Sequence, residues 1–500
     1  MISRRRFLQG AAALAVSPAL RAQGNPFPLG VASGYPASTG MVLWTRLLGL
    51  AGAQPVSWEI AEDEAMRRIV QRGETTADPA WAHSVHVEPE GLRPDRWYWY
   101  RFTAAGAQSP VGRTRTAPLP SARPSRLRFA FASCQHWEQG YFSAYRPMLA
   151  DEPDLIAFLG DYIYETTWGK ELVRSHGATE PFTLEDYRAR YALYRSEPEL
   201  QAAHAACPWI VTWDDHEVVN DYADDRAADG LNHAEFLARR AAAYRAYYEH
   251  MPLPARMRPD GPRMRLYTQL GWGALARFYL LDCRQYRSWQ ACPRPGRRGG
   301  SNTVNVDDCP QLADEKRTML GRRQERWLDA ALGASRAGWN VIAQTTLMAR
   351  LDQLPGPGRR AWTDGWDGYP AARKRLLASA LNHRVLNPVV IGGDVHSFNV
   401  AQLKLDYDDP ASPVIASEFV GTSITSQAWP QERVNELLPD NPHILYAESR
   451  YRGYTRVEIT EKAARFDLRG MESVRVRDAA CNTLASFVVE SGKPGPLKAG

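Results

Sequence analysis

The sequence predicts a mixed α/β fold in which a small all-β domain precedes a larger α/β domain. In the first part of the chain, short alternating apolar runs are punctuated by Gly, Pro and Asp, a spacing that is typical of a β-sandwich. From residue 125 onward, apolar runs alternate with stretches whose apolar residues recur at helical spacing, which indicates an α/β domain. A chain of 500 residues is too long for one ordinary core, so more than one domain is expected.

The all-β domain is expected over residues 24–118. Its strand candidates are residues 41–45, 56–60, 83–87 and 97–102. The segment from residue 117 to residue 124 contains three prolines, which is typical of a linker.

The α/β domain is expected over residues 125–491. Its buried-strand candidates are residues 127–132, 154–159, 209–213, 341–344 and 388–391. Helical spacing occurs between them, at residues 182–206, 232–250 and 321–332. Further strand candidates follow near the C-terminus, at residues 454–459, 464–468 and 486–490.

Residues 1–23 have the features of a twin-arginine export signal. The arginines at residues 4–6 precede a short apolar run at residues 10–16. The run is too short to span a bilayer, so no stable membrane anchor is expected. We therefore expect a periplasmic or secreted protein, exported by the twin-arginine (Tat) machinery. The alternative is a basic start before a buried helix.

The net charge and the cysteine pattern argue against nucleic-acid binding and against a structural zinc site. The net charge of +5 is spread thinly, so no nucleic-acid-specific binding is expected. The six cysteines include no CxxC pair, which argues against a structural zinc site. Cys292 and Cys309 flank a loop rich in Gly, Pro and Arg, and they could form a disulfide in an oxidising compartment. We expect a monomer.

Polar side chains follow four of the predicted strands in the α/β domain. Ligands in such sheets bind beyond the carboxyl ends of the strands, so these side chains are expected to meet at one site. The candidate metal ligands among them are Cys134, Asp161, Tyr164, Asp214, Asp215, Asn220, Asp394 and His396.

The types of these side chains indicate a metal centre. Asp214 and Asp215 are adjacent, and two buried carboxylates repel each other unless a cation pairs them. A phenolate from Tyr164 and a thiolate from Cys134 favour a hard or redox-type trivalent ion. Taken singly, each residue also has a structural interpretation. Asp161 could be a helix N-cap, Tyr164 a core residue, Cys134 a small buried apolar residue, and His396 a satisfied buried histidine.

The motifs as a set resemble those of the PhoD-type alkaline phosphatases and phosphodiesterases, within the calcineurin-like metallophosphoesterases. The resemblance covers nearly the whole chain. It rests on the segments at residues 30–34, 42–46, 131–135, 160–164, 213–217, 281–287, 366–369, 393–397 and 418–423. One departure is Cys283, where Thr or Ser is common in the family.

The resemblance implies a fold and a metal content. The fold would be a β-sandwich-based catalytic domain with helices on its outer faces. The cofactors would be Fe(III) and Ca²⁺. Cys134, Asp161 and Tyr164 would hold the iron, with Asp161 bridging to calcium. Asp394 and His396 would complete the site, and the segment 214–220 would supply the calcium-side ligands.

The resemblance also implies a reaction. The chain would be an exported alkaline phosphatase, a mono- or diesterase, that hydrolyses small or polymeric phosphate esters with a metal-activated hydroxide. The catalytic residues would be Asp161 and His216, the histidine lying beside the scissile phosphate. A phospholipase D-like or cell-wall-polymer phosphodiesterase is an alternative, and a non-catalytic exported binding protein is a second.

The loop at residues 354–369 is a candidate lid.

Overall fold

The computed structural model of the protein describes residues 24–228 and 230–499. The predicted export signal at residues 1–23 lies outside the described residues. The strands are, in chain order, β1 (Val31–Gly34), β2 (Val42–Arg46), β3 (Gln54–Ala61), β4 (Ile69–Ala77), β5 (Ser84–Val87), β6 (Trp97–Ala104), β7 (Ala107–Gln108), β8 (Gly112–Arg115), β9 (Arg126–Ala132), β10 (Leu155–Leu159), β11 (Trp209–Thr212), β12 (Thr268–Trp272), β13 (Ala276–Leu280), β14 (Thr303–Asn305), β15 (Trp339–Ala343), β16 (Arg360–Trp362), β17 (Pro388–Gly392), β18 (Phe398–Lys404), β19 (Val414–Val420), β20 (Ile444–Glu448), β21 (Arg452–Thr460), β22 (Ala463–Met471), β23 (Cys481–Glu490) and β24 (Lys493–Lys498). The α-helices are α1 (Tyr145–Ala150), α2 (Leu184–Arg195), α3 (Pro198–Ala206), α4 (His233–His250), α5 (Gly321–Gly333), α6 (Pro370–Asn382) and α7 (Gln431–Leu437).

Two large sheets form the body of the protein. The first has ten strands in the order β24-β23-β22-β21-β9-β10-β11-β1-β2-β5. The second has seven, in the order β12-β13-β15-β17-β19-β18-β20. Strands β9, β10 and β11 are parallel neighbours, as are β13, β15, β17 and β19. Parallel strands are normally buried on both faces, which explains why most residues of these strands are apolar.

The two sheets pack face to face through aromatic side chains. Phe129 of β9 meets Phe278 of β13 edge to face, with ring centroids 5.2 Å apart. Phe419 of β19 stacks on Phe466 of β22 at 3.6 Å. The structure is therefore a β-sandwich.

Helices cover the outer faces of both sheets. On the seven-stranded sheet, α5 and α6 bury Leu328 and Leu376 in one cluster with Ile342. On the ten-stranded sheet, Tyr244 of α4 stacks on Trp213 at 4.1 Å. The predicted fold class, a β-sandwich with helices on its outer faces, is confirmed.

The N-terminal segment does not form an isolated sandwich. Strands β1, β2 and β5 extend the ten-stranded sheet, and Gly34 of β1 pairs in parallel with Trp209 of β11. Strands β3, β4, β6, β7 and β8 form a separate sheet, which packs on this extension through Leu43, Val56 and Tyr100. The alternating pattern predicts strands but not their partners. The division of the chain into domains near residue 118 stays a prediction.

One predicted helix is two helices in the structure. The stretch at residues 182–206 divides into α2 and α3 because Pro198 follows Glu197. A proline disfavours the helical conformation of the residue before it, and Glu197 is extended, with φ −70° and ψ 122°. Pro198 then begins α3 at a position where its missing N–H costs nothing.

Two further expectations about the chain are addressed by the structure. Cys292 and Cys309 form the predicted disulfide. Among the described residues, no helix is long and apolar enough to cross a membrane.

Candidate metal centre

The candidate site lies where the carboxyl ends of strands from both sheets meet. Cys134 follows β9, Asp161 follows β10, Asp214 follows β11 and Asp394 follows β17. The first three strands are neighbours in one sheet, and β17 belongs to the sheet that faces it. The sandwich therefore brings together side chains that are up to 260 residues apart in the chain (394 − 134).

Four of the candidate ligands have left-handed backbone conformations. The φ angles are 58° at Cys134, 56° at Asp161, 63° at Asp394 and 54° at His396. Such angles cost a non-glycine residue about 1–3 kcal/mol and persist only where the surroundings enforce them. They are concentrated at functional sites, and here they turn four polar side chains toward one point.

Glycines allow the loops of the site to approach each other. A Cβ on Gly160, whose φ is 95°, would lie 2.6 Å from Cβ of Asp214. A Cβ on Gly393 would lie 2.3 Å from Oγ of Ser133. The glycine before Asp161 and the one before Asp394 are therefore required by the close packing of the strand ends.

Sulfur, oxygen and nitrogen donors meet around Asp161. Cys134, Asp161 and His396 offer ligand atoms that lie within 4.8 Å of one another. The Tyr164 hydroxyl lies 3.0 Å from Oδ2 of Asp161 and 3.1 Å from Nε2 of His396. Nδ1–H of His396 donates to the carbonyl oxygen of Gln427 at 2.6 Å, which leaves the Nε2 lone pair for a metal.

Two more groups of possible ligands share the same aspartate. Asp161, Asp214 and Asp394 form one, and Asp161, Asp215 and His216 form the other. In each group the ligand atoms again lie within 4.8 Å of one another. Asp161 thus belongs to three overlapping groups, which is the arrangement a bridging carboxylate requires.

The electrostatics of the cluster fit a bound cation. Oδ1 of Asp161 and Oδ2 of Asp394 are buried, and neither has a hydrogen-bond partner among the described residues. Burial raises the pKa of both carboxyls well above their ordinary value. Burial and the neighbouring Asp161 likewise raise the pKa of the Cys134 thiol. A cation would stabilise the ionised forms and give the unpaired oxygens a partner, so the residues fit a metal.

His216 is held by a buried carboxylate. Its Nδ1 lies 2.6 Å from Oε2 of Glu165, whose Oε1 accepts from the backbone N–H of Asn220 at 2.8 Å. Burial lowers the pKa of His216, but Glu165, Asp215 and Asp161 outweigh it and raise that pKa well above its ordinary value. The carboxylates around His216 therefore favour its protonated form.

The buried carboxylate of Asp214 forms an ion pair with an arginine whose role was not predicted from the sequence. Arg284 donates from Nε to Oδ1 of Asp214 at 2.6 Å and from Nη2 to Oδ2 at 3.0 Å. Its Nη1 donates to Oδ2 of Asp364 at 2.7 Å, and Arg287 donates to Oδ1 at 2.9 Å. All of these side chains are buried. The repulsion between Asp214 and Asp215 is thus offset by Arg284, whether or not a metal is bound.

The role of Glu217 was not predicted either. Its side chain connects the loops that follow β10 and β11. Its carboxylate accepts from the backbone N–H of Tyr162 at 2.5 Å and from that of Asp214 at 2.8 Å. Burial raises the pKa of Glu217 to about 8. The segment at residues 213–217 was recognised as part of the candidate site. The sequence could not show that the Glu217 side chain accepts hydrogen bonds from backbone N–H groups.

Asn220 is the predicted ligand with the weakest structural support. It is exposed at the edge of the site, and its backbone N–H is the group that bonds Glu165. Its role as a calcium ligand stays a prediction, as do the individual roles of the other candidates.

A buried network holds the backbone of the candidate iron ligand Tyr164. The hydroxyl of Tyr194 accepts from the backbone N–H of Tyr164 at 3.0 Å and from that of Trp137 at 3.1 Å. Its own proton must then go to Nε2 of His176, 3.0 Å away. Nδ1–H of His176 consequently faces Oε2 of Glu138, 3.3 Å away. The chain of groups joins Glu138 to the two loops that carry Cys134 and Tyr164.

Replacing Tyr194 by Phe is expected to destabilise the protein by about 1–3 kcal/mol, because two buried N–H donors lose their acceptor. The free energy of unfolding in urea measures this. Tyr191→Phe is the matched control, since the buried Tyr191 hydroxyl has no hydrogen-bond partner among the described residues. Equal losses in the two variants would show that the Tyr194 network contributes nothing.

A buried carboxylate common to three possible metal-binding groups, beside a histidine held by Glu165, is an arrangement typical of a metal-dependent hydrolase. The family model for the PhoD-like phosphatase matches residues 129–468, and the model for its N-terminal domain matches residues 11–118. The chain belongs to the PhoD-like phosphatase family and is a phosphate ester hydrolase.

Two relatives support this membership over the whole length. Alkaline phosphatase D of Bacillus subtilis (strain 168) is 43% identical, over 99% of this chain and 89% of that protein. The solved structure of PhoD matches with a TM-score of 0.90 and 43% identity, over 96% of this chain and 93% of that one. The alternative of a non-catalytic binding protein is therefore set aside.

Proposed function

We propose that the chain is an exported alkaline phosphatase or phosphodiesterase whose centre holds Fe(III) and Ca²⁺. The observation that carries the proposal is that Asp161 belongs to three of the possible ligand groups among the described residues. Cys134, Tyr164 and His396 would hold the iron with Asp161. Asp214, Asp215 and Asn220 would hold calcium on the other side of Asp161, and Asp394 would close the centre.

The bound cations would supply Lewis acidity, which neutralises phosphate charge and lowers the pKa of water. Asp161 would fix the distance between them. His216 would donate its proton to the leaving oxygen, because Glu165 favours its protonated form and fixes its ring. Arg284 would hold the Asp214 carboxylate in its orientation through two hydrogen bonds.

The metal identities predict a visible absorption band. Elemental analysis of the active protein should find both iron and calcium, and a phenolate or thiolate bound to Fe(III) should colour the protein. Tyr164→Phe should shift or bleach the band, because it removes the phenolate. Tyr191→Phe should leave it unchanged. An unaltered spectrum in Tyr164→Phe would show that Tyr164 is not an iron ligand.

The role of His216 predicts a kinetic defect. His216→Gln is expected to lower kcat by about 10²–10³-fold, the usual size of a general-acid contribution. The loss should be larger for alkyl phosphates than for p-nitrophenyl phosphate, whose leaving group does not need a proton. His383→Gln, at an exposed histidine paired with Asp329, is the control. An equal loss with both substrates would contradict the acid role.

Substrate preference and export complete the proposal. A panel of phosphate monoesters, diesters and phospholipids separates the phosphatase from the phospholipase D-like and cell-wall-polymer alternatives. Export by the Tat machinery is supported by the arginines at residues 4–6 and the apolar run that follows them. Replacing the arginines at residues 4 and 5 by lysine should keep the protein in the cytoplasm. Export of that variant would show that the Tat route is wrong.

A further inference from the structure

A cavity of about 390 Å³ lies beside the candidate metal centre. Asp394 and His396 form part of its wall, so the cavity adjoins the site that would bind the phosphate. Its volume lies within the range of pockets that hold small organic molecules. The cavity can therefore accept a group attached to a bound phosphate.

The wall of this cavity is mainly apolar. Its large side chains include Trp168, Trp362, Trp366, Trp429, Leu347 and Leu351. Among the described residues that line it, there is no lysine or arginine. The cavity thus offers apolar surface and no side-chain cation for a second anionic group.

Two polar side chains of the wall, those of Asp367 and Gln427, are already paired with protein atoms. The carboxylate of Asp367 accepts from Arg373 at 2.6 Å and from the backbone N–H of Leu351 at 2.8 Å. The Gln427 side chain accepts from the N–H of Lys170 at 3.1 Å and donates to its carbonyl oxygen at 2.6 Å. A polar group that entered the cavity would lose water and find few free partners, which disfavours it.

The side of the cavity next to the metal centre is formed by an aromatic contact. Trp168 stacks on His396 with ring centroids 5.7 Å apart and planes within 9° of each other. The Gln427–Lys170 pair ties the loop of Trp168 to the loop that leads to Trp429. These contacts form part of the wall before any substrate binds.

We propose that this cavity binds the organic group of the phosphate ester and selects esters of uncharged, apolar alcohols, whether chains or rings. The inference rests on the proposed function, because only a phosphate held at the metal centre places its organic group in the cavity. A substrate with a charged or strongly polar group at this position is disfavoured.

Competition by phosphonates tests the cavity without the chemistry of a leaving group. Methylphosphonate, hexylphosphonate, cyclohexylmethylphosphonate and 6-phosphonohexanoate are compared as inhibitors of p-nitrophenyl phosphate hydrolysis by the metal-loaded protein. Each buried methylene is worth up to about fourfold in affinity, so hexylphosphonate should bind at least about tenfold more tightly than methylphosphonate. The carboxylate of 6-phosphonohexanoate should abolish that gain. The hexyl and cyclohexylmethyl compounds distinguish a chain from a ring.

A charge placed in the cavity should remove the preference. Val434, a partly buried residue of α7, lines the cavity, and Val434→Asp should reduce the hexyl-to-methyl affinity ratio by about tenfold. Trp429→Ala, at a side chain that is 48% exposed, should also reduce it with less risk to folding. Trp289→Ala is the control, since Trp289 is 44% exposed and does not line the cavity.

The outcomes separate the two proposals. If the metal-loaded protein does not hydrolyse p-nitrophenyl phosphate, the proposed function fails. If it does so but binds methyl- and hexylphosphonate equally, or tolerates the carboxylate-tipped inhibitor as well as the hexyl one, the cavity inference is overturned. A ratio that is unchanged in Val434→Asp and Trp429→Ala would also overturn it.

Discussion

Replacing Asp161 by Asn is expected to lower kcat/KM for phosphate ester hydrolysis by about 10³–10⁵-fold, equivalent to about 4–7 kcal/mol of transition-state stabilisation. Asp161 is shared by the groups that contain Cys134 and His396, Asp214 and Asp394, and Asp215 and His216, and no other residue connects all three. An amide is a poor ligand for a trivalent ion and cannot offset the charge of two cations. Iron and calcium contents should fall together with the activity.

The stability of Asp161→Asn shows whether its loss of activity results from lost metal or from a damaged fold. In the metal-free protein, burial disfavours the charge of Asp161, and its Oδ1 has no hydrogen-bond partner among the described residues. The metal-free Asp161→Asn variant should therefore unfold at the same urea concentration as the metal-free wild type, or at a higher one. Asp478→Asn, at an exposed aspartate, controls for activity. An Asp161→Asn variant that keeps its metals and its activity would contradict the bridging role.

Replacing Arg284 by Met is expected to destabilise the protein by about 3–5 kcal/mol. The substitution leaves the buried carboxylate of Asp214 without its cation and leaves Asp364 with Arg287 alone, and an uncompensated buried charge has a cost of this size. The loss should be largest in the metal-free protein, because a bound cation would compensate Asp214. Urea unfolding with and without metals measures both effects.

A surface arginine provides the comparison for this prediction. Arg322 pairs with Glu325 and its side chain is 46% exposed, so Arg322→Met should cost no more than about 1 kcal/mol. If Arg284→Met were as mild as Arg322→Met, the buried network would not stabilise the fold.

The parts of the site that could be predicted from sequence follow buried strands. Strands β9, β10, β11 and β17 are mainly apolar, and the polar residues that follow them are easily recognised. Because parallel strands end at one edge, Cys134, Asp161, Asp214 and Asp394 could be expected to converge. The sandwich, with β17 in the facing sheet, brings them together.

The missed parts depend on contacts between distant segments. Arg284 follows β13 and reaches Asp214 and Asp364 from a loop whose pairing no local pattern reveals. The Tyr194 hydroxyl matters only because it lies beside the backbone of Tyr164, 30 residues away in the chain. A buried tyrosine at helical spacing is normally a core residue, so this role had no sequence signal.

The fold of the N-terminal segment shows the same limit. Strands β2, β3, β5 and β6 were predicted from alternation, but β1 was not, and it pairs with β11 across more than 170 residues. The hydrogen bonds along a strand edge are made by backbone groups and not by particular side chains. The sequence therefore does not show whether these strands form a separate sandwich or extend the next sheet. The same holds for β12, β13, β18, β19 and β20, which complete the seven-stranded sheet and were not predicted as strands.

The central claim is that hydrolysis depends on metals held around Asp161. Phosphate release from p-nitrophenyl phosphate by chelator-stripped protein, followed as iron and calcium are added back, tests it most directly. The account predicts no hydrolysis by the stripped wild type, recovery in proportion to bound metal, and no recovery in Asp161→Asn. Full activity in the stripped protein, or full recovery in Asp161→Asn, would contradict it.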